Sequence, residues 1–373
     1  MDPTDLIGPT SPLGYPAPYW FIVFFKTLGF ALHTLPMNLW YAGLILAVVL
    51  HVLGGEHARR WAARLLNQMP IIIALGVNLG IVPLLFTQVA YYRVFYPATI
   101  LMAWPWFSIF GLLTLAYYGV YIYVTALRRE RLSFLRRVVG WVAALVFIAI
   151  GFLFANNFSL MTHLEAWPGL WQGTNAAGAV TGGALNTGDP TLWPRWLMMF
   201  GLALTTTAAY TVVDAAFFAG RESEAYRHWA PGFALKLYTL GLIWFALSGT
   251  WYVFGTWRPE VRALMLGGPL VILTALTALA PGLPWLLILA QRQGVTRRLA
   301  LFTGLAQFGV LALNAISRQI VQNAELSRFL DVTAEPVNLQ LSPLVVFLAL
   351  FVIGLGIVAW MVRQVVIAER QPA

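Results

Sequence analysis

The chain has 373 residues, 60% of them hydrophobic and only 10% charged, with a net charge of +9 and a mean hydropathy of +0.75. Soluble domains carry about a quarter of their residues as charges, so an ordinary globular enzyme is excluded in favour of a polytopic membrane protein. The absence of cysteine removes disulfides, thiolate metal sites, iron–sulfur clusters and covalently attached c-type haem from this chain.

Met1–Pro18 is polar and Pro-rich with no basic start, so no cleavable signal peptide is expected. Lipid excludes open sheet edges, and the apolar runs far exceed the alternating strands of a barrel. The prediction is therefore an all-α fold forming a single membrane domain, 1–373. Cutting at charges and Pro/Gly clusters gives nine spans, approximately 18–53, 70–92, 98–127, 138–157, 195–220, 232–257, 265–291, 299–320 and 342–366. Each is near or above the roughly 20 residues needed to cross a bilayer. The first is long enough to tilt or to kink at Pro36, and the seventh carries a predicted kink at Pro281-Gly282-Leu283-Pro284.

Basic residues concentrate in the joints after spans one, three, five and seven, for example Arg59, Arg60 and Arg64, then Arg128, Arg129 and Arg131. The C-terminal tail adds Arg363 and Arg370. Fewer fall on the opposite side, where Arg93, Arg195, Arg258, Arg262, Arg318 and Arg328 are placed. The positive-inside rule puts the N-terminus outside and the C-terminus in the cytoplasm. The positive charge then reports topology and attraction to anionic lipid, and nucleic acid is not an expected partner. Two outer segments are longer. Phe158–Pro194 is rich in Gly, Ala, Asn and Thr, and Gln322–Leu341 carries Glu325, Asp331 and Glu335. They read either as docking surfaces for a partner or as interfacial loops with aromatic anchors. No repeat of 20–50 residues is evident.

Charges inside a bilayer are costly, which makes them informative. Asp214 is the only carboxylate within a predicted span, and Lys236 lies at similar depth on the next, antiparallel helix. The two are expected to pair, either as a structural ion pair or as part of an ion-coupling step. Among the histidines, His33 is the one deep in a span. His51 follows five helical turns later on the same predicted face, about 27 Å away, too far to share a haem. His163 follows span four on the outer side, so His33 serves as a single axial ligand or pairs with His163 if the loop folds inward. An interhelical hydrogen bond is the bland alternative for His33. Gly76 and Gly80, with Gln88, put small and amide residues on span two. Asn156 and Asn157 end span four with polar side chains. Both groups read as a pocket lining or as ordinary packing and capping.

Three stretches, Leu32–Gly43, Gly76–Leu85 and Phe154–Met161, together with the nine spans, make the chain resemble subunit I of the cytochrome bd quinol oxidase family. The resemblance covers nearly the whole length, and it implies that His33 stands where the family has the axial ligand of a high-spin b haem. Three family features do not carry over. The family's low-spin haem takes a histidine from helix five and a methionine from helix seven, but Leu197–Thr207 has no histidine and span seven offers only Met265 at its edge. The family's helix three carries glutamates, whereas Pro97–Leu127 has no acidic residue. The family's long loop between helices six and seven is reduced to about Trp257–Leu264.

The expected function is thus a bd subunit I-like subunit of a multi-subunit electron-transfer complex in a bacterial cytoplasmic membrane. It would anchor redox partners, among them a c-type cytochrome outside, hold at most one haem b, and not reduce oxygen by itself. Two alternatives stand beside it. One is a quinone-reactive module using His33, Asn156, Asn157 and His163. The other is a secondary transporter using Asp214 and Lys236, against which the missing inverted repeat counts.

Overall fold

In hydrocarbon every backbone N–H and C=O must find its partner within its own segment, and this chain meets that demand with helices. The computed structural model describes residues 1–368; Arg370 lies outside them. Among the described residues, nine helices are long and apolar enough to cross a membrane. They are α1 (Tyr19–Leu53), α2 (Glu56–Ala90), α3 (Ala103–Arg128), α4 (Phe134–Leu160), α5 (Leu192–Phe217), α6 (Glu224–Thr256), α7 (Val271–Ala290), α8 (Arg297–Leu326) and α9 (Leu341–Met361). We call the face that holds the start of α1 the N-face and the opposite, basic face the C-face.

Local chemistry sets the helix starts. Ser133, Ser223 and Thr296 each accept a backbone N–H of the first turn with their side-chain oxygen, satisfying a donor the helix itself cannot. Pro36 lies inside α1, and the kink expected there takes the form of a π turn over Leu39–Gly43. The Pro281 region divides α7 into Val271–Leu279 and Gly282–Ala290, as the sequence predicts.

Several boundaries differ from expectation, α6 beginning at Glu224 rather than near residue 232 among them, and two of them differ for one reason. The basic stretch before residue 70 ends the apolar run but not the helix, so α2 begins at Glu56. Trp61, Leu65 and Met69 fall four residues apart, and this stripe is buried in the core, which keeps the polar turns helical. Likewise α8 continues to Leu326 through Gln319, Gln322 and Glu325. These polar residues therefore belong to a helix rather than to a loop.

The helices pack around a core that includes Tyr41, Trp61, Phe147 and Tyr238. The α5–α6 contact is close because glycine faces backbone. A Cβ on Gly201 would lie 2.7 Å from the Phe245 nitrogen, and one on Gly241 would lie 2.9 Å from the Gly201 oxygen. By contrast, α9 buries none of its apolar window. It touches the bundle through Phe347 and Phe351, whose rings lie 5.0 and 5.3 Å from that of Phe25.

A second core, with Tyr15, Tyr91, Trp167 and Leu330, closes the N-face. The segment from α8 to α9 is fastened inward there. Tyr15 N–H donates to the Pro336 carbonyl at 2.8 Å, and Arg93 pairs with Glu335 at 3.0 Å. The α4–α5 segment forms short helices and a two-residue hairpin, Asn175–Ala176 with Ala179–Val180.

Candidate functional site

His33 sits on α1 against α2. A Cβ on Gly80 would lie 2.8 Å from its Cε1, and a Cβ on Gly76 would fall 2.1 Å from the Trp40 ring. These two glycines, one turn apart, admit the imidazole and the indole between the helices. The His33 Nδ1 lies 2.8 Å from the Gly76 carbonyl oxygen. A carbonyl only accepts, so Nδ1 carries the proton and Nε2 presents its lone pair. Trp40 packs edge-on to the ring at 5.9 Å and itself rests on Phe147. An imidazole whose Nδ1–H is anchored to a backbone carbonyl, with Nε2 free, is the arrangement an axial iron ligand requires.

Asn156 and His163 belong to a separate network on the N-face. Asn156 Oδ1 accepts the Asn186 N–H at 2.9 Å, and Asn186 Nδ2 donates to Ser159 Oγ at 2.8 Å. Ser159 Oγ donates to Asp189 Oδ2 at 2.5 Å. Asp189 also accepts the Thr191 N–H at 2.8 Å. His163 Nδ1 lies 3.1 Å from Asn186 Oδ1. Asn186, which the sequence does not single out, is thus the hub that ties the α4–α5 segment to the end of α4. His163 is engaged there and, among the described residues, shares no partner with His33. Asn157 is different. It is fully buried, and neither end of its amide finds a hydrogen-bond partner among the described residues.

The expected Asp214–Lys236 pair does not form. Asp214 on α5 takes a two-pronged contact from Arg64 on α2, with both N···O distances 2.8 Å. Arg64 also reaches Glu222 at 2.9 Å and the Phe218 carbonyl at 2.9 Å, and Arg60 grips Glu222 at 2.7 and 2.8 Å. Lys236 is exposed and, among the described residues, pairs with no carboxylate. The physical reason is the extension of α2 below its apolar run, which brings Arg64 to the depth of Asp214. A planar guanidinium also matches a carboxylate better than a single ammonium does. Met265, expected at the edge of span seven, lies in the short helix Pro259–Gly267 and is fully buried against Tyr252 and Trp257.

Among the described residues, no group of three or more His, Asp or Glu is gathered to hold a metal ion. The sequence matches no protein-family model and no curated protein. Among solved structures it is similar to a chain of the bd oxidase from Geobacillus thermodenitrificans. The TM-score is 0.65 and the identity 14%, over 96% of this chain and 100% of that one. The fold is thus a cytochrome bd-like helical bundle, shared at a level where side chains have largely diverged.

Proposed function

We propose that this protein is a bd oxidase-like subunit of a multi-subunit respiratory complex in a bacterial cytoplasmic membrane, with its N-face outside. It anchors redox partners, a c-type cytochrome among them, and holds one b haem through Nε2 of His33. The observation that supports this reading is the His33 Nδ1–Gly76 contact, which fixes the tautomer a haem ligand needs. A haem held there supplies one-electron transfer. The chain's own part is to orient the imidazole through Gly76, to exclude water with Trp40 and Phe147, and to make room with Gly80. A reduced-minus-oxidised visible spectrum of the purified protein tests the reading. A b-type band that is lost in His33→Ala supports it, and a featureless wild-type spectrum refutes it.

A quinone-reactive role is favoured by one observation, the buried Asn157 amide with no hydrogen-bond partner among the described residues, since such a group calls for a ligand or water. Loss of quinol-analogue binding in Asn157→Leu, with the His33 band retained, supports that role. Transport loses its coupling pair, because Asp214 is committed to Arg64.

A further inference from the structure

On the N-face, α8 packs against both α1 and α5, and each helix brings a cation to the junction. Lys26 of α1 donates to Gln319 Oε1 at 2.5 Å and Gln322 Oε1 at 3.1 Å and lies over the Tyr91 ring at 4.8 Å. Arg318 of α8 stacks its guanidinium on Phe30 at 4.6 Å and Phe158 at 5.2 Å. Among the described residues it donates no hydrogen bond. Arg195 of α5 faces Glu325 at 3.8 Å, with side-chain exposures of 14% and 12%, and its Nη1 is buried without an acceptor. Arg318 is close enough to Lys26 and to Arg195 to feel the charge of each.

Among the described residues only one of these three cations, Arg195, has a carboxylate within 4 Å, and that carboxylate is Glu325. The next acid, Asp189, has spent its oxygens on Ser159 and Thr191. Glu165 nearby is shared by Arg258 and Arg328. Holding unpaired like charges among apolar helices is expensive, and it is tolerated where a counter-charge arrives from elsewhere. Buried N–H donors without acceptors add to the case: besides Arg195 Nη1, they include Gln322 Nε2 and Trp257 Nε1.

We propose that the N-face junction of α1, α5 and α8 is a binding site for a phosphate group, built on Arg318 with Lys26 and Arg195, and that its occupant is the headgroup of an anionic phospholipid. Phosphate offers several acceptor oxygens to the rigid fork of an arginine and to a point-charge lysine. Depth argues for a tailed source. Arg318 is eight residues from the N-face end of α8, about 12 Å along the helix, where Phe30 and Phe158 offer apolar surface to acyl chains. The surplus charge lies on the face opposite the basic joints, so it is separate from their general attraction to lipid.

The test uses the full-length protein, delipidated in neutral detergent and titrated with phosphatidylglycerol, monoolein or inorganic phosphate. Native mass spectrometry and thermal unfolding are the readouts. Phosphatidylglycerol should bind and raise the melting temperature, while monoolein, with a tail but no phosphate, should not. Arg318→Gln should weaken phosphatidylglycerol binding about tenfold, yet leave the delipidated protein at least as stable as wild type, because a repulsion has been removed. If that variant does not fold, Lys26→Met decides, with a similar loss expected. Protection by inorganic phosphate equal to that by phosphatidylglycerol keeps the site and makes free phosphate its ligand. Equal protection by monoolein, or wild-type phosphatidylglycerol affinity in the variants, overturns the proposal.

Discussion

Replacing Asp214 by asparagine removes the carboxylate that Arg64 holds through two bonds of 2.8 Å, while keeping the shape of the side chain. Asp214 is 2% exposed and the Arg64 side chain 15%, so the stranded guanidinium gains little from water. Breaking a buried pair by deleting one partner costs about 3–5 kcal/mol. Here Arg64 keeps Glu222 at 2.9 Å and the Phe218 carbonyl at 2.9 Å, which lowers the expected loss to about 2–3 kcal/mol. For a chain of this size that is a fall in melting temperature of roughly 3–4 °C. Lys236→Met, at an exposed position, should change stability by less than about 0.5 kcal/mol. Thermal unfolding of both variants in one detergent reads the contrast. An unchanged Asp214→Asn protein, or an equal loss in Lys236→Met, would refute the pairing described here.

Gly80→Ala places a Cβ 2.8 Å from His33 Cε1, so we expect a loss of about 1–3 kcal/mol together with a shifted or absent b-type band in the visible spectrum. The C-face ion cluster should show in the pH dependence of stability. Burial alone would raise the Glu222 carboxyl, but hydrogen bonds from Arg60 and Arg64 outweigh it and hold the group below its ordinary value of 4.5. Its stabilisation is then fully present above pH 4.5 and fades as pH falls through the lower folded value. Wild type and Glu222→Gln should therefore differ in melting temperature near neutrality and converge in acid. Asn186→Ala removes the amide that serves Ser159 and His163 but keeps the backbone N–H that Asn156 accepts. Only its side-chain bonds are lost, at a cost of about 2 kcal/mol, and limited proteolysis should cut between α4 and α5 faster than in wild type.

The helices were legible because long apolar runs have one solution in lipid, and all nine spans appear where such runs occur. Their ends were less legible. Charge marks where the membrane stops, but Trp61, Leu65 and Met69 show that a buried stripe carries a helix past that point. The partner of Asp214 is hidden for the same reason, since Arg64 reads as part of a loop until α2 is extended to Glu56. His33 stood out as a deep histidine, and Gly76 and Gly80 as small residues, yet their mutual contact is a fact of helix pairing that spacing within one segment does not encode. Arg318, Gln322 and Glu325 do carry a helical signal, three and four residues apart, that a cut at the first polar residues discards. Asn186 had no comparable signal, because loop hubs depend on the path of the chain.

The π turn at Leu39–Gly43 has a consequence for what α1 can address. A wider turn advances less per residue, so the lower half of the helix lags the upper by roughly a quarter of a revolution. An unbroken α1 would aim His33 and His51 in one direction. Instead, His33 meets Gly76 of α2, while His51 Nδ1 meets the Tyr123 hydroxyl of α3 at 3.0 Å. One rod thereby speaks to two neighbours, and excising a single residue from that wide turn would swing its lower histidine away from the tyrosine it now faces.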